Sequence, residues 1–301
     1  MCYNEPACPA TITRLESAMK RHTPFIALLL LFLTGCANGL FYHPDNRLYQ
    51  TPDRPYEEVT FESLDGTRLT GWFIASSQAD PFGTVIHFHG NAANISNHYG
   101  FVEWLPEAGF NLFLFDYRGY GDSEGKPGRR GVFEDSVAAL KYAASRPDVD
   151  PSRLIAFGQS LGGANAVAAA AATPDVPLKG VVVDSAFFSY RSIARDKIGL
   201  IPVLKWLKWP LSFVMATNGH SPGPVIERLS PTPVLIIHGT KDRVIPYDHG
   251  RRLYDAAAPP KTMWTVKGGV HTDALMTWRD IYREKLAATL RNLAEGKPAL
   301  E

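Results

Sequence analysis

The sequence predicts an α/β fold in which a mostly parallel, eight-stranded sheet is flanked by helices and carries a small helical cap between its sixth and seventh strands. Three observations predict it. From about residue 56 onward, short apolar runs alternate with longer helical stretches, the pattern of stacked βα units. One Gly-x-Ser-x-Gly pentapeptide stands directly between such a run and such a stretch. A single apolar segment punctuated by lysines interrupts the alternation.

Taken in order, residues 58–62 and 69–75 flank Asp65-Gly66 and read as an opening antiparallel hairpin or meander. Residues 84–88, 111–115, 153–157, 180–183, 233–237 and 262–266 are short and apolar, as strands covered on both faces should be. Helices are expected over 99–107, 132–145, 161–172, 248–257 and 273–294. The interruption lies between Asp184 and Pro231. There Ile201, Val203, Leu204, Trp206, Leu207 and Trp209 alternate with Lys205 and Lys208, which reads as an amphipathic helix ended by Pro210. This is the cap, about 186–230. Its Trp206, Trp209 and Phe213 are candidates for touching an acyl or aromatic substrate, and equally for merely covering the sheet.

Composition sets the outer limits. With 301 residues, 45% of them hydrophobic and 20% charged, the chain can bury one large core. A net charge of +1 leaves no basic excess for phosphates, so nucleic acid is not an expected partner. The cysteines are Cys2, Cys8 and Cys36, which excludes a cysteine nucleophile or a cysteine-ligated zinc anywhere later in the chain.

The N-terminus reads as an address. Met19-Lys20-Arg21-His22 is basic, 24–33 is almost wholly apolar, and Thr34-Gly35-Cys36 follows. That order is a secretory signal peptide, with an apolar run too short to cross a bilayer comfortably. Leu33-Thr34-Gly35-Cys36 is similar to the lipobox of bacterial lipoproteins, which implies lipidation of Cys36 as the first mature residue. An uncleaved signal anchor and a soluble secretory signal are the alternatives. Residues before Met19 are unlike a signal region, so translation is expected to begin there. Ala37 after the cysteine would favour the outer membrane. The resulting division is 1–35 extension and signal, 36–55 tether, and 56–301 catalytic domain facing the periplasm of a bacterial envelope.

Chemistry concentrates at strand ends. Residues 153–157 run into Gly158-Gln159-Ser160-Leu161-Gly162, and a sharp strand-to-helix turn there would expose the Ser160 hydroxyl. The new helix offers the Leu161 N–H and a positive dipole end to a developing oxyanion. Strand 84–88 ends in His89-Gly90-Asn91-Ala92, where Asn91 is the candidate for the second backbone donor. His87 and His89 share a strand face, but lacking an obvious third ligand they read as structural, and no metal or other cofactor is called for.

A serine hydroxyl needs an imidazole to take its proton and a carboxylate to orient that imidazole. Asp242 follows strand 233–237 and His271 follows strand 262–266, so both loops open onto the edge carrying Ser160. Asp184 is the rival acid, while His220, His238 and His249 are the rival bases.

His89-Gly90-Asn91-Ala92, Asp116-Tyr117-Arg118-Gly119-Tyr120-Gly121 with Ser123 and Gly125, Gly158 to Gly163, and His238-Gly239-Thr240-Lys241-Asp242 occur in this order. Together they resemble the α/β-hydrolases of the Bem46 and serine aminopeptidase-like group over about 56–293. The resemblance implies the α/β-hydrolase fold, the Ser160–His271–Asp242 triad, the Leu161 and Asn91 oxyanion donors, and esterase, thioesterase or depalmitoylase chemistry. The 116–125 stretch reads as a long turn that Arg118 could anchor through a carboxylate. A small ester or acyl compound is the expected substrate. A peptidase of the same fold and a non-catalytic binding lipoprotein are the other readings.

Overall fold

The structure, a computed structural model, describes residue 39 and residues 41–301. Cys36 and the signal segment lie outside the described residues. One sheet contains β1 (Glu57–Glu62), β2 (Arg68–Ile74), β3 (Gly83–Phe88), β4 (Phe110–Phe115), β5 (Leu154–Gln159), β6 (Leu178–Asp184), β7 (Val234–Gly239) and β8 (Lys261–Val266). Their spatial order is β8-β7-β6-β5-β3-β4-β2-β1. β2 pairs antiparallel with β1 and β4, and every other pairing is parallel.

Helices on both faces explain why β3, β4, β5 and β7 are buried at every position. One apolar core lies beneath α2 (Arg129–Ser145), α3 (Leu161–Ala172) and α6 (Asp248–Ala256), and includes Ile86, Leu140, Val167 and Leu253. The opposite core includes Val85, Leu105, Leu286 and Leu290 beneath α7 (Arg279–Ala294). Alternate strand residues feed the two cores, as the pleat requires.

Three expectations are corrected. No continuous helix covers 99–107: α1 (Ile95–His98) and a 3₁₀ turn over Tyr99–Phe101 give way to further turns. Pro106 has no N–H and its ring crowds the preceding turn, so Val102, Leu105 and Gly109 instead close three-residue turns onto Tyr99, Val102 and Pro106. The last helix starts at Arg279 rather than 273. In the cap, α4 (Tyr190–Gly199) is followed by a 3₁₀ stretch, Pro202–Leu207, and by α5 (Lys208–Met215). Pro210 sits in the first turn of α5, where its missing N–H has no helical partner to lose, and it does not end the helix.

The stretch expected to be a tether also differs from its reading. Phe41 and Tyr42 are buried, and His43–Pro44 pairs in parallel with Ala92–Ala93. The His43 N–H donates to the Asn91 carbonyl at 2.8 Å, and the Asp45 N–H to Ala93 at 3.2 Å. Packing against the domain therefore begins by Phe41 rather than at 56.

The 116–125 turn is anchored as its arginine suggested. Arg118 Nη2 donates to Asp135 Oδ1 at 2.8 Å and to Ser63 Oγ at 3.0 Å, while Nη1 donates to Asp65 at 2.8 Å. The Asp135 side chain is fully buried. Arg118→Ala strands that carboxylate without its cation, and is expected to lower stability by about 3–5 kcal/mol. Urea unfolding of wild type and variant measures the difference.

Candidate active site

β5 turns into α3 at Ser160, whose φ of 55° and ψ of −118° place a non-glycine residue in a sparsely populated region. The Ser160 N–H donates to the Asp184 carbonyl at 2.8 Å, which holds the turn against the end of β6. Close approach requires the flanking glycines. A Cβ on Gly162 would overlap the carbonyl oxygens of Phe88 and His89, and one on Gly158 would overlap the backbone of Gly162. Leu161 is the first residue of α3, so its N–H has no partner one helical turn earlier.

The structure brings Ser160, His271 and Asp242 into one hydrogen-bonded chain. Ser160 Oγ lies 3.0 Å from His271 Nε2, and His271 Nδ1 lies 2.7 Å from Asp242 Oδ2. The carboxylate only accepts, so Nδ1 carries the proton and Nε2 faces the serine with a lone pair. Asp242 Oδ1 accepts the N–H groups of Val244 and Ile245, each at 2.8 Å. Burial by itself would push the Asp242 carboxyl up. The neighbouring His238 imidazole and hydrogen bonds from His271 and the Ile245 backbone more than offset this, holding it well below the usual carboxylate range.

The rivals occupy other places. Asp184 accepts from Gln159 Nε2 at 3.1 Å and from Ser185 Oγ at 2.9 Å, and burial pushes its carboxyl up. Ser185 Oγ in turn accepts the Thr272 N–H at 3.1 Å, beside His271. His238 is fully buried, donating from Nε2 to the Ile245 carbonyl at 2.9 Å and lying 3.4 Å from Asp242. His249 accepts the Phe188 N–H at 2.9 Å and donates to Asp196 at 2.7 Å, joining the cap to α6. His220 stacks on Phe133, with ring centroids 4.0 Å apart.

Asn91 and Leu161 line the same cavity as Ser160. The Asn91 carbonyl is tied back by Tyr120 Oη and the His43 N–H, both at 2.8 Å, which fixes the peptide plane of this loop. Behind it, His89 Nδ1 donates to the Gly90 carbonyl at 2.8 Å and His87 Nε2 to Gln159 Oε1 at 3.3 Å. Burial pushes His87 down to about 3, so it is neutral near pH 7. Asp116, which accepts the Ile95 N–H at 2.9 Å, is pushed up by burial to about 8 despite that bond. No group of three metal-ligating side chains occurs among the described residues.

The remaining walls are Phe41, Phe187, Ile193, Lys197, Val244 and Ile245, around a cavity of about 60 Å³. Trp206, Trp209 and Phe213 are absent from it: 88%, 54% and 54% exposed, they lie on the outside of the cap. The 3₁₀ stretch and the short α5 turn these side chains to solvent, so they neither line the cavity nor cover the sheet, the two expectations the sequence left open. Phe187 and Ile193 lay within the expected cap but carried no periodic signal. Phe41 lay in the expected tether, where nothing local marks its packing.

Residues 79–226 match the family described as Serine aminopeptidase, S33. The chain is 38% identical over 279 residues to Uncharacterized protein YfhR of Escherichia coli (strain K12), covering 89% of this chain and 94% of that one. It is 33% identical over 242 residues to Alpha/beta hydrolase domain-containing protein WAV2 of Arabidopsis thaliana, covering 75% and 76%. Among solved structures, a Pyrococcus furiosus esterase superposes with a TM-score of 0.67 at 20% identity, covering 82% of this chain and 96% of its own. Acetyl xylan esterase 1 from Thermoanaerobacterium sp. gives 0.64 at 19% identity, covering 88% and 93%. With this sheet order and a serine at the β5–α3 turn, the protein is an α/β hydrolase. It belongs to one family with YfhR and WAV2.

Proposed function

We propose that the chain is a serine hydrolase that cleaves carboxylic esters or thioesters through an acyl-enzyme on Ser160. The observation that carries this is the imidazole of His271, held 3.0 Å from a hydroxyl on one side and 2.7 Å from a carboxylate on the other. Ser160 Oγ attacks the carbonyl carbon as its proton passes to His271 Nε2. The N–H groups of Leu161 and Asn91 take the oxyanion. His271 then gives the proton to the leaving alkoxide or thiolate as the C–O or C–S bond breaks. Water attacks the acyl-enzyme with His271 again as base, and Ser160 is restored.

An ester or thioester is favoured over an amide because its leaving group departs more readily. The family's description keeps an aminopeptidase as the second reading. The test is fluorophosphonate labelling of the full chain with the adduct located by mass spectrometry, followed by turnover of an acyl ester against an aminoacyl anilide. An adduct on Ser160 and faster ester turnover support the proposal. No adduct on folded protein overturns it in favour of a binding role, and faster anilide turnover favours the peptidase.

The apolar walls suit the acyl part of a substrate, but about 60 Å³ is far below the roughly 300–1,000 Å³ of sites for larger ligands. Short acyl groups fit without rearrangement. Phe41→Ala is expected to move the preferred nitrophenyl ester toward longer chains while lowering stability by about 3–5 kcal/mol, since the ring is buried. A chain-length series and a thermal melt read both effects.

We further propose that the protein is held at the bacterial envelope, facing the periplasm, through a lipid on Cys36, with Ala37 favouring the outer membrane. No helix among the described residues is long and apolar enough to cross a membrane. Intact mass of membrane-extracted protein tests the anchor, and an unmodified Cys36 would overturn it.

A further inference from the structure

We infer that the outer face of the cap lies on an anionic lipid surface, so that the cleft leading to Ser160 opens at the membrane. This rests on the envelope location proposed above. The face is apolar where solvent exposure would select polar residues: Val203 is 82% exposed, Trp206 88%, and Leu200, Leu207, Trp209 and Phe213 at least half. Tryptophan and short apolar side chains on a helical rim are the residues that settle at the level of lipid headgroups.

Charge complements this surface. Lys205 and Lys208 interleave with the apolar positions. The Arg195 guanidinium lies 3.5 Å from the Trp209 ring centre and that of Arg191 lies 4.0 Å from the Phe213 ring centre, so cations and aromatic rings share one face. A hollow beside them is lined by Arg195, Lys197, Lys208 and Arg243, and its one carboxylate, Asp196, is bound to His249. Basic side chains at such a face are attracted to anionic headgroups. That hollow shares two wall residues, Lys197 and Val244, with the nucleophile's cavity and so lies beside it.

Chain length keeps the cleft near the membrane. Phe41 stands five positions after Cys36 and eight after Leu33. Full extension spans at most about 18 Å or about 28 Å, respectively. Phe41 is a wall of the cavity that holds Ser160, so either form of anchor keeps the cleft within that reach of the bilayer. The apolar segment 24–33 contains no tryptophan, which makes the cap tryptophans informative reporters.

The test is tryptophan fluorescence of the full chain reconstituted in phosphatidylglycerol vesicles whose acyl chains carry bromine. Quenching is expected in the wild type and lost in a Trp206→Phe/Trp209→Phe variant. Replacing phosphatidylglycerol by phosphatidylcholine, or Lys205 and Lys208 by glutamate, is expected to lower the docked-to-free ratio at least about five-fold. Absent quenching, or equal quenching in the tryptophan variant, overturns the proposal. Intact mass of the same preparation separates it from the anchor. A lipidated Cys36 with an unquenched cap overturns docking alone, and an unmodified Cys36 with a quenched cap overturns the lipid anchor and leaves docking supported.

Discussion

Ser160→Ala is expected to lower kcat for a short acyl ester by on the order of ten-thousand- to million-fold while leaving the melting temperature nearly unchanged. The loss is large because, among the described residues, Ser160 supplies the hydroxyl hydrogen-bonded to His271 Nε2 and no other hydroxyl does. A general base with no nucleophile to deprotonate contributes little. The fold tolerates the change because alanine keeps the Cβ, the backbone bond from residue 160 to the Asp184 carbonyl, and the same strained φ of 55°. Only the bond to His271 is removed, worth about 1 kcal/mol. Glycine at 160 gives the complementary result, an equally inactive enzyme that melts higher, because it relieves about 1–3 kcal/mol of backbone strain. Initial rates and thermal melts of the three proteins check this. A variant retaining a tenth of the activity would remove Ser160 from the mechanism.

What could be read from the sequence, and what could not, follows from the range over which each signal acts. Gly158 to Gly162 is a local signature: consecutive residues determine the turn, and the structure has a strand before it and a helix after it. Asp242 and His271 were reached through strand ends, because parallel strands in one sheet point their C-terminal loops to the same edge. The choice between Asp242 and Asp184 was less accessible, since both follow strands and only side-chain direction separates them. Phe41 was not legible at all. Its loop pairs with Ala92–Ala93 about fifty residues later through a two-residue bridge, which leaves no periodicity. The cap aromatics show the opposite failure, because hydrophobic content says that a surface is wanted somewhere but not which one it meets. The helix expected over 99–107 is broken because Pro106 lacks an N–H and crowds the turn before it, a local signal that the sequence does carry.

Side-chain direction is what the second large effect tests. Asp242→Asn is expected to lower kcat on the order of ten-thousand-fold, and Asp184→Asn less than about ten-fold. In the first variant the amide oxygen can keep the Val244 and Ile245 N–H groups, which leaves the NH₂ facing His271 Nδ1. Two donors cannot pair, so the ring shifts its proton to Nε2 and can no longer accept one from Ser160. Asp184 bonds Gln159 and Ser185 through its side chain and makes no hydrogen bond to His271, so an amide there leaves the orientation and tautomer of the imidazole unchanged. Stability against pH gives an independent check. The Asp242 carboxyl is depressed in the folded chain, so its contribution is present above the ordinary carboxylate value near 4 and is lost as pH falls below it toward the lower folded value. The stability difference between wild type and Asp242→Asn should therefore be constant from about pH 5 to 7 and shrink below about pH 4. Asp184, raised by burial, should show no such narrowing, because its charged form is disfavoured in the folded state. If Asp184→Asn loses activity while Asp242→Asn retains it, the hydrogen bond at 2.7 Å to His271 is not the one that orients the base.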